Sequence, residues 1–362
     1  MSHYDPFERG SDAVGVRTLT WRDESRDRAL PVEVWYPADQ ALAGQDLDEA
    51  TCDHYKPSPF APEVTQQAIR DAAPRAAVGL PLIVFSHGFG GERRQSTHLC
   101  THWASHGYAV IAVDHVGNTT MDMVQQSMGR NAPDPEVQLA EFIADRPADA
   151  SFAIDRALAG DLGLAIDESR IGMSGHSFGG WTTLATVGLD ERIRAALPLA
   201  PAGGRSEGGL AGPAEGMAAA LELGWEREVP TLYLVAEFDT LLPLDGMRDL
   251  LARTPEPSRG VILLNADHFH FCDRVEEAHE LFRTMGPMIA GAGPGGPDMS
   301  EVFGAMKSSA QLCPGSHAYA LLQGLGLAHM DAALRGDARA QEWIMGDLVA
   351  LLAARGIAAA PL

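Results

Sequence analysis

A serine stands between glycines in Gly175-His176-Ser177-Phe178-Gly179, after the apolar run that starts at Ile171 and before a helical stretch, Gly180 to Leu189. A strand that turns sharply into a helix lifts such a hydroxyl above the sheet, and it needs glycines two positions either side because strand and helix cross tightly. Ser177 is thus a candidate nucleophile. The amide of Phe178, at the helix start, would point at an oxygen bonded to the attacked carbon. Two further apolar runs end in groups that could serve it. Thr231 to Ala236 leads to Asp239, and Val261 to Leu264 leads to His268. A fourth, Leu80 to Phe85, runs into Ser86-His87-Gly88-Phe89-Gly90-Gly91, where a glycine-rich turn would bring the Phe89 amide close to a ligand as a second oxyanion donor. Serine, histidine and aspartate together perform acyl transfer. Singly, each has a duller use, since an Asp after a strand commonly caps a helix and a lone His is more often structural. Their joint placement on strand ends is what carries weight.

Other groups compete for the chemistry. His98, His102 and His106 recur every fourth residue on a helix expected from about Glu92 to His106. Such spacing can hold a metal, but the glutamate of a zincin-type helix is missing, and a polar, partly exposed helix face is the preferred reading. His270 rivals His268 as the base, and His268, His270, Cys272 and Asp273 could instead form a metal hydrolase site. The four cysteines show no Cys-x-x-Cys spacing, so a structural zinc is not indicated, and no cofactor or metal is expected. Free thiols are favoured in a reducing compartment, with a Cys272–Cys313 bond left open.

These residues need a sheet to gather them. Val14 to Trp21 and Leu30 to Tyr36 alternate as a hairpin, and Glu63 to Ala72 reads as a short helix. Strands and helices then alternate from Leu80 to Leu264, with Tyr108 to Asp114 and Ile193 to Ala200 as further strands. That alternation predicts a mostly parallel α/β sheet whose strand ends collect ligands at one edge. Met121, Met123 and Met128 fall in what reads as a long segment after that third strand, and Asp145 to Asp149 opens a helix with Pro147 in its first turn. Arg146 and Asp149 could tie that helix to a neighbouring loop, although a pair left exposed would matter little to stability. Residues 201–228 read as a lid inserted after a strand, with a short helix near Met217 to Leu223. A Gly/Pro-rich break at 286–297 precedes terminal helices, Leu321 to Leu334 and Ala340 to Ala354. One domain over 1–362 is preferred, with a core of about 13–285, the lid candidate and a C-terminal helical segment, 286–362.

The composition is that of a globular protein, 46% hydrophobic and 21% charged over 362 residues. A net charge of −22 argues against nucleic acid and anionic membranes as partners. No run is long enough to span a bilayer, and residues 1–6 show no secretory pattern, so the cytoplasm is the expected location.

The chain resembles the α/β-hydrolases, and more narrowly the predicted dienelactone hydrolase and platelet-activating factor acetylhydrolase-like group. The resemblance rests on Val32 to Pro37, Phe85 to Gly91, Ser105 to Tyr108, Asp114-His115, Arg146 to Asp149, Gly175 to Gly180 and His268 to Phe271, and covers most of 13–272. It implies a Ser177 nucleophile, a His268 base and oxyanion amides at Phe89 and Phe178. The order Ser, acid, His is that of the α/β-hydrolase fold. Dienelactone hydrolase itself uses cysteine, so its substrate does not carry over. The acetylhydrolases place their acid after the strand that follows the elbow helix, and here Leu199-Ala200-Pro201-Ala202 holds no carboxylate. Asp239 is therefore the expected acid. The expected activity is hydrolysis of small-molecule carboxylic esters through an acyl-enzyme, with an apolar acyl group hinted at by the lid and methionines. A lactonase or acetylhydrolase would use the same triad. A non-catalytic ligand-binding protein on this fold is the alternative of another class.

Overall fold

A computed structural model describes residues 4–57, 61–76, 78–128, 134–206, 211–290 and 300–362. The hairpin forms as β1 (Val14–Asp23) and β2 (Arg28–Pro37), antiparallel from Val14 opposite Pro37 to Asp23 opposite Arg28. The segment expected as a helix at Glu63 to Ala72 is extended instead. Val64–Gln66 pairs with Asp53–Tyr55, and β3 (Ile69–Arg70) adds to β1. Buried Asp53 explains this, since its carboxylate takes Gln66 Nε2 at 2.7 Å and Arg70 Nε at 2.8 Å, fixing both segments side by side.

The central strands are β4 (Leu80–Ser86), β5 (Ala109–Val113), β6 (Ile166–His176), β7 (Ile193–Leu199), β8 (Thr231–Ala236) and β9 (Ser258–Leu263). Each pairs in parallel with its neighbours in the spatial order β5-β4-β6-β7-β8-β9. The hairpin joins antiparallel through β2 and β5, and β10 (Ala359–Pro361) closes the other edge against β9. That last strand carries no alternation over its three residues, so nothing in the sequence marked it. Both faces of the inner strands are buried, as their near-continuous apolar runs require.

The crossover helices are α1 (Thr97–Ser105), α2 (Thr120–Met128), α3 (Pro135–Leu158), α4 (Phe178–Leu189), α5 (Ala211–Ala219) and α6 (Leu244–Arg253). The methionine segment is thus a helix over 120–128. Helix α3 begins twelve residues before Pro147, whose ring sits in the helix interior, because Asp134 caps the earlier start by accepting from Glu136 N at 2.9 Å. The lid candidate holds the short helix α5, while its residues 207–210 lie outside the described residues. Most of the Gly/Pro break, 291–297, does too. After α7 (Val275–Ala290) and α8 (Ser300–Ala305), helix α9 (Gly315–Arg335) packs on the sheet, followed by α10 (Ala338–Met345) and α11 (Leu348–Ala353). Among the described residues no helix is long and apolar enough to cross a membrane.

Steric closeness around the elbow is extreme. A Cβ on Gly179 would lie 1.9 Å from the Ser86 carbonyl oxygen, and one on Gly175 would lie 2.3 Å from the Gly179 oxygen. Gly179→Ala should therefore destabilise the protein by at least ~3 kcal/mol in urea denaturation, the upper end of ordinary overpacking. Gly224→Ala, with open space at its Cβ, should stay within about 0.5 kcal/mol of the parent.

Candidate active site

Ser177 links β6 to α4 with φ 59° and ψ −117°. A non-glycine residue there costs about 1–3 kcal/mol, so the surroundings must impose it. They do so through three backbone hydrogen bonds. Ser177 N donates to Leu199 O at 2.9 Å, and Ser177 O accepts from Trp181 N at 3.1 Å and Ala202 N at 3.0 Å. Ser177 is half-buried, and the Phe178 amide opens α4 beside it.

Asp239 and His268 leave β8 and β9 on the same sheet edge. His268 Nδ1 lies 2.8 Å from Asp239 Oδ2, with both side chains nearly inaccessible to solvent. The other Asp239 oxygen accepts from the amides of Leu241 at 3.1 Å and Leu242 at 2.8 Å, which aims the carboxylate. Asp239 thus closes a local turn ahead of α6, which starts at Leu244 with Pro243 at its cap position, and meets the histidine as well. His270, the rival base, has its nitrogens otherwise engaged. Its Nδ1 accepts from Asp267 N at 3.1 Å and its Nε2 donates to Cys313 O at 3.0 Å.

The elbow and the histidine loop are joined by a residue whose role sequence reasoning missed. Gln95 Oε1 accepts from Gly88 N at 2.8 Å, so its Nε2 donates to His176 Nδ1 at 2.9 Å. That leaves His176 Nε2–H to donate to the His268 carbonyl at 3.0 Å. The two imidazoles lie 4.5 Å apart, and burial, with His268 beside it, pushes His176 far below the ordinary histidine range. His176 is a neutral strut between the Ser177 turn and the His268 loop. Only the position of His176 inside the elbow hinted at this.

The Phe89 amide has no hydrogen-bond partner among the described residues, and a Cβ on neighbouring Gly88 would stand 3.4 Å from the Ser177 Cβ. Its ring is 56% exposed, stacked at 6.4 Å on Phe178 and edge-on at 6.0 Å to Phe142. Behind these rings lie Trp181, Met217 and Leu221, with Met123 against them. Trp181 Nε1 donates to Met217 O at 2.9 Å and so ties α5 to the elbow helix.

Beneath the Phe89 turn lies a buried polar layer. Arg146 and Asp149 do tie α3 to neighbouring loops, and both are wholly buried, because α3 lies against the Phe89 turn. Asp149 is shared by Arg26 at 2.8 Å, Arg28 at 3.0 Å and His115 at 3.1 Å.

The alternative metal sets do not converge. His102 Nε2 reaches Pro6 O at 3.0 Å and His106 Nε2 reaches Glu8 O at 2.9 Å, because the N-terminal segment covers that helix face and leaves His102 buried, not exposed. His98 bonds Asp273 at 2.6 Å, and Asp273 also accepts from Thr97 N at 2.8 Å, as an external cap of α1. Cys272 and Cys313 are free thiols, the first pushed far up by burial and the second up to about 11. Among the described residues no three His, Cys, Asp or Glu side chains cluster as metal ligands would.

Residues 31–149 match the family model of platelet-activating factor acetylhydrolase, isoform II. The platelet-activating factor acetylhydrolase of Canis lupus familiaris is 28% identical over 176 residues, 39% of each chain. Cutinase est2 of Thermobifida alba is 32% identical over 161 residues, 44% of this chain and 42% of that one. The chain spans about two-fifths to half the length of the curated relatives it matches. A solved structure of a ferulic acid esterase from Streptomyces cinnamoneus superposes with a TM-score of 0.62 over 89% of this chain and 90% of that one, at 24% identity. With ten strands in this order, flanking helices and a tight serine turn, the chain has the α/β-hydrolase fold and is similar over residues 31–149 to the platelet-activating factor acetylhydrolases.

Proposed function

We propose that the protein is a serine hydrolase that cleaves carboxylic esters through an acyl-enzyme. The observation that carries this reading is the buried 2.8 Å Asp239–His268 contact standing beside a strained serine elbow. His268, its tautomer set by donating Nδ1–H to Asp239, takes the Ser177 proton through Nε2 as Oγ attacks the ester carbonyl. The Phe89 and Phe178 amides receive the developing oxyanion, and the proton on His268 then passes to the leaving alcohol. Water repeats the sequence and frees the acid. The cluster of Phe89, Phe142, Phe178 and Met123 supports an apolar acyl or alcohol group in the substrate. We also propose one domain over 1–362, which the pairing of β10 with β9 in the same sheet supports. The cytoplasm is the proposed compartment, supported by four cysteines that remain thiols.

The reading is tested with p-nitrophenyl esters from acetate to octanoate and an organophosphonate probe followed by intact mass. Wild type should turn over and acquire one adduct. Ser177→Ala should lose turnover by roughly 10⁶-fold, the scale of removing a triad nucleophile, and take no label. Unchanged turnover in that variant would sink the triad. Asp239→Asn should keep its fold by circular dichroism and its KM within a few fold, while kcat drops about 10⁴-fold. Activity should survive exhaustive EDTA treatment, whereas loss reversed by added zinc would favour a metal hydrolase.

A further inference from the structure

Arg146 is wholly buried and makes no ion pair among the described residues. Its nearest acid, Asp149, is taken by Arg26, Arg28 and His115. The guanidinium instead donates to neutral oxygens, namely Thr182 Oγ1 at 3.0 Å, Ser86 Oγ at 3.2 Å, Asn118 Oδ1 and the His87 carbonyl. Its Cζ lies 4.4 Å from the Phe178 ring centroid. Burial pushes it down to about 9, so it remains cationic at neutral pH. Burying an uncompensated charge is costly, and stability alone favours an apolar side chain there.

What the cation touches explains its retention. His87, whose carbonyl it holds, uses its own Nδ1–H to donate to Gly88 O at 2.7 Å while Nε2 accepts from His115 N at 3.1 Å. Gly88 O also accepts from Gly91 N at 3.1 Å. That oxygen belongs to the same planar trans peptide as the Phe89 N–H, so pinning one end aims the other. On the opposite side, Thr182 accepts from Arg146 and donates its hydroxyl to Phe178 O at 2.8 Å, under the second amide. One guanidinium is therefore one bond from the structure around each donor.

We propose that Arg146 is a positioning residue for oxyanion stabilisation, holding the Phe89 and Phe178 amides in register and adding positive potential as the carbonyl oxygen becomes anionic. This rests on the esterase reading. It is tested with Arg146→Met, Arg146→Lys and the milder Thr182→Val, each compared with wild type for melting temperature, kcat, KM, affinity for an aryl boronic acid that binds serine as a tetrahedral anion, and affinity for a neutral amide analogue of the ester.

Arg146→Met should lose roughly 10–100-fold in kcat, somewhat less than the cost of deleting a donor outright, with KM changed less than about threefold. Boronate affinity should fall in parallel and amide affinity should not. Arg146→Lys should recover most of both losses. Thr182→Val, which keeps the cation, should lose several fold in kcat and boronate affinity together, and this decides the matter if the Met variant does not fold. Folded variants with wild-type kcat, or with boronate and amide affinity falling equally, would overturn the proposal. Absence of turnover and of phosphonate labelling in wild type would instead remove the esterase reading itself.

Discussion

The geometry of this protein depends on one steric fact, that β4, β6 and α4 meet with no room for side chains. Gly175 and Gly179 face backbone oxygens at distances no Cβ can share, and Ser177 between them is forced to positive φ. The cost of that conformation is met by Leu199 O, Trp181 N and Ala202 N, which hold the turn from three directions. The same squeeze brings the Ser86–Phe89 turn against the elbow, so the tight crossing sets both the Ser177 conformation and the space in front of it.

Around that crossing the protein places polar groups where an apolar core would be cheaper. His87, His115 and His176 are buried, and burial holds all three far below the usual histidine range. As neutral rings each has one donor and one acceptor nitrogen, and each is matched to a fixed partner. Gln95 donates to His176, Ser86 stands 2.9 Å from His115, and the His115 amide donates to His87. A network satisfied in this way specifies one arrangement of loops, because any displacement strands a buried polar atom. The layer thus turns stability into orientation.

The parts legible in the sequence were those governed by local rules. Strand runs at Leu80 to Phe85 and Thr231 to Ala236, the glycine spacing about Ser177 and the placement of Asp239 and His268 on strand ends are local patterns, and the structure has them at those places. What the sequence left obscure was decided by distant partners. Glu63 to Ala72 has helical spacing yet is drawn into strands by Asp53 and by β1. Arg146 and Asp149 suggest a tie between their helix and a loop, but nothing local shows which loop, or that α3 buries them on the His87 turn. Gln95 looks like any polar residue near a helix start until Gly88 and His176 appear on either side of it.

The edge strand β10 bears on how the site comes into being. It pairs with β9, the strand that delivers His268, while Cys313, just before α9, holds Asn265 O at 2.6 Å and His270 at 3.0 Å. The loop bearing the imidazole is therefore clamped by residues made long after it. Pairings between such remote segments form slowly, and ribosomes deliver the earlier segments first. The sheet partners of the serine turn, through Leu199, precede that clamp in the chain, so the loop bearing His268 cannot be fully tied down until Cys313 and residues 359–361 have been made.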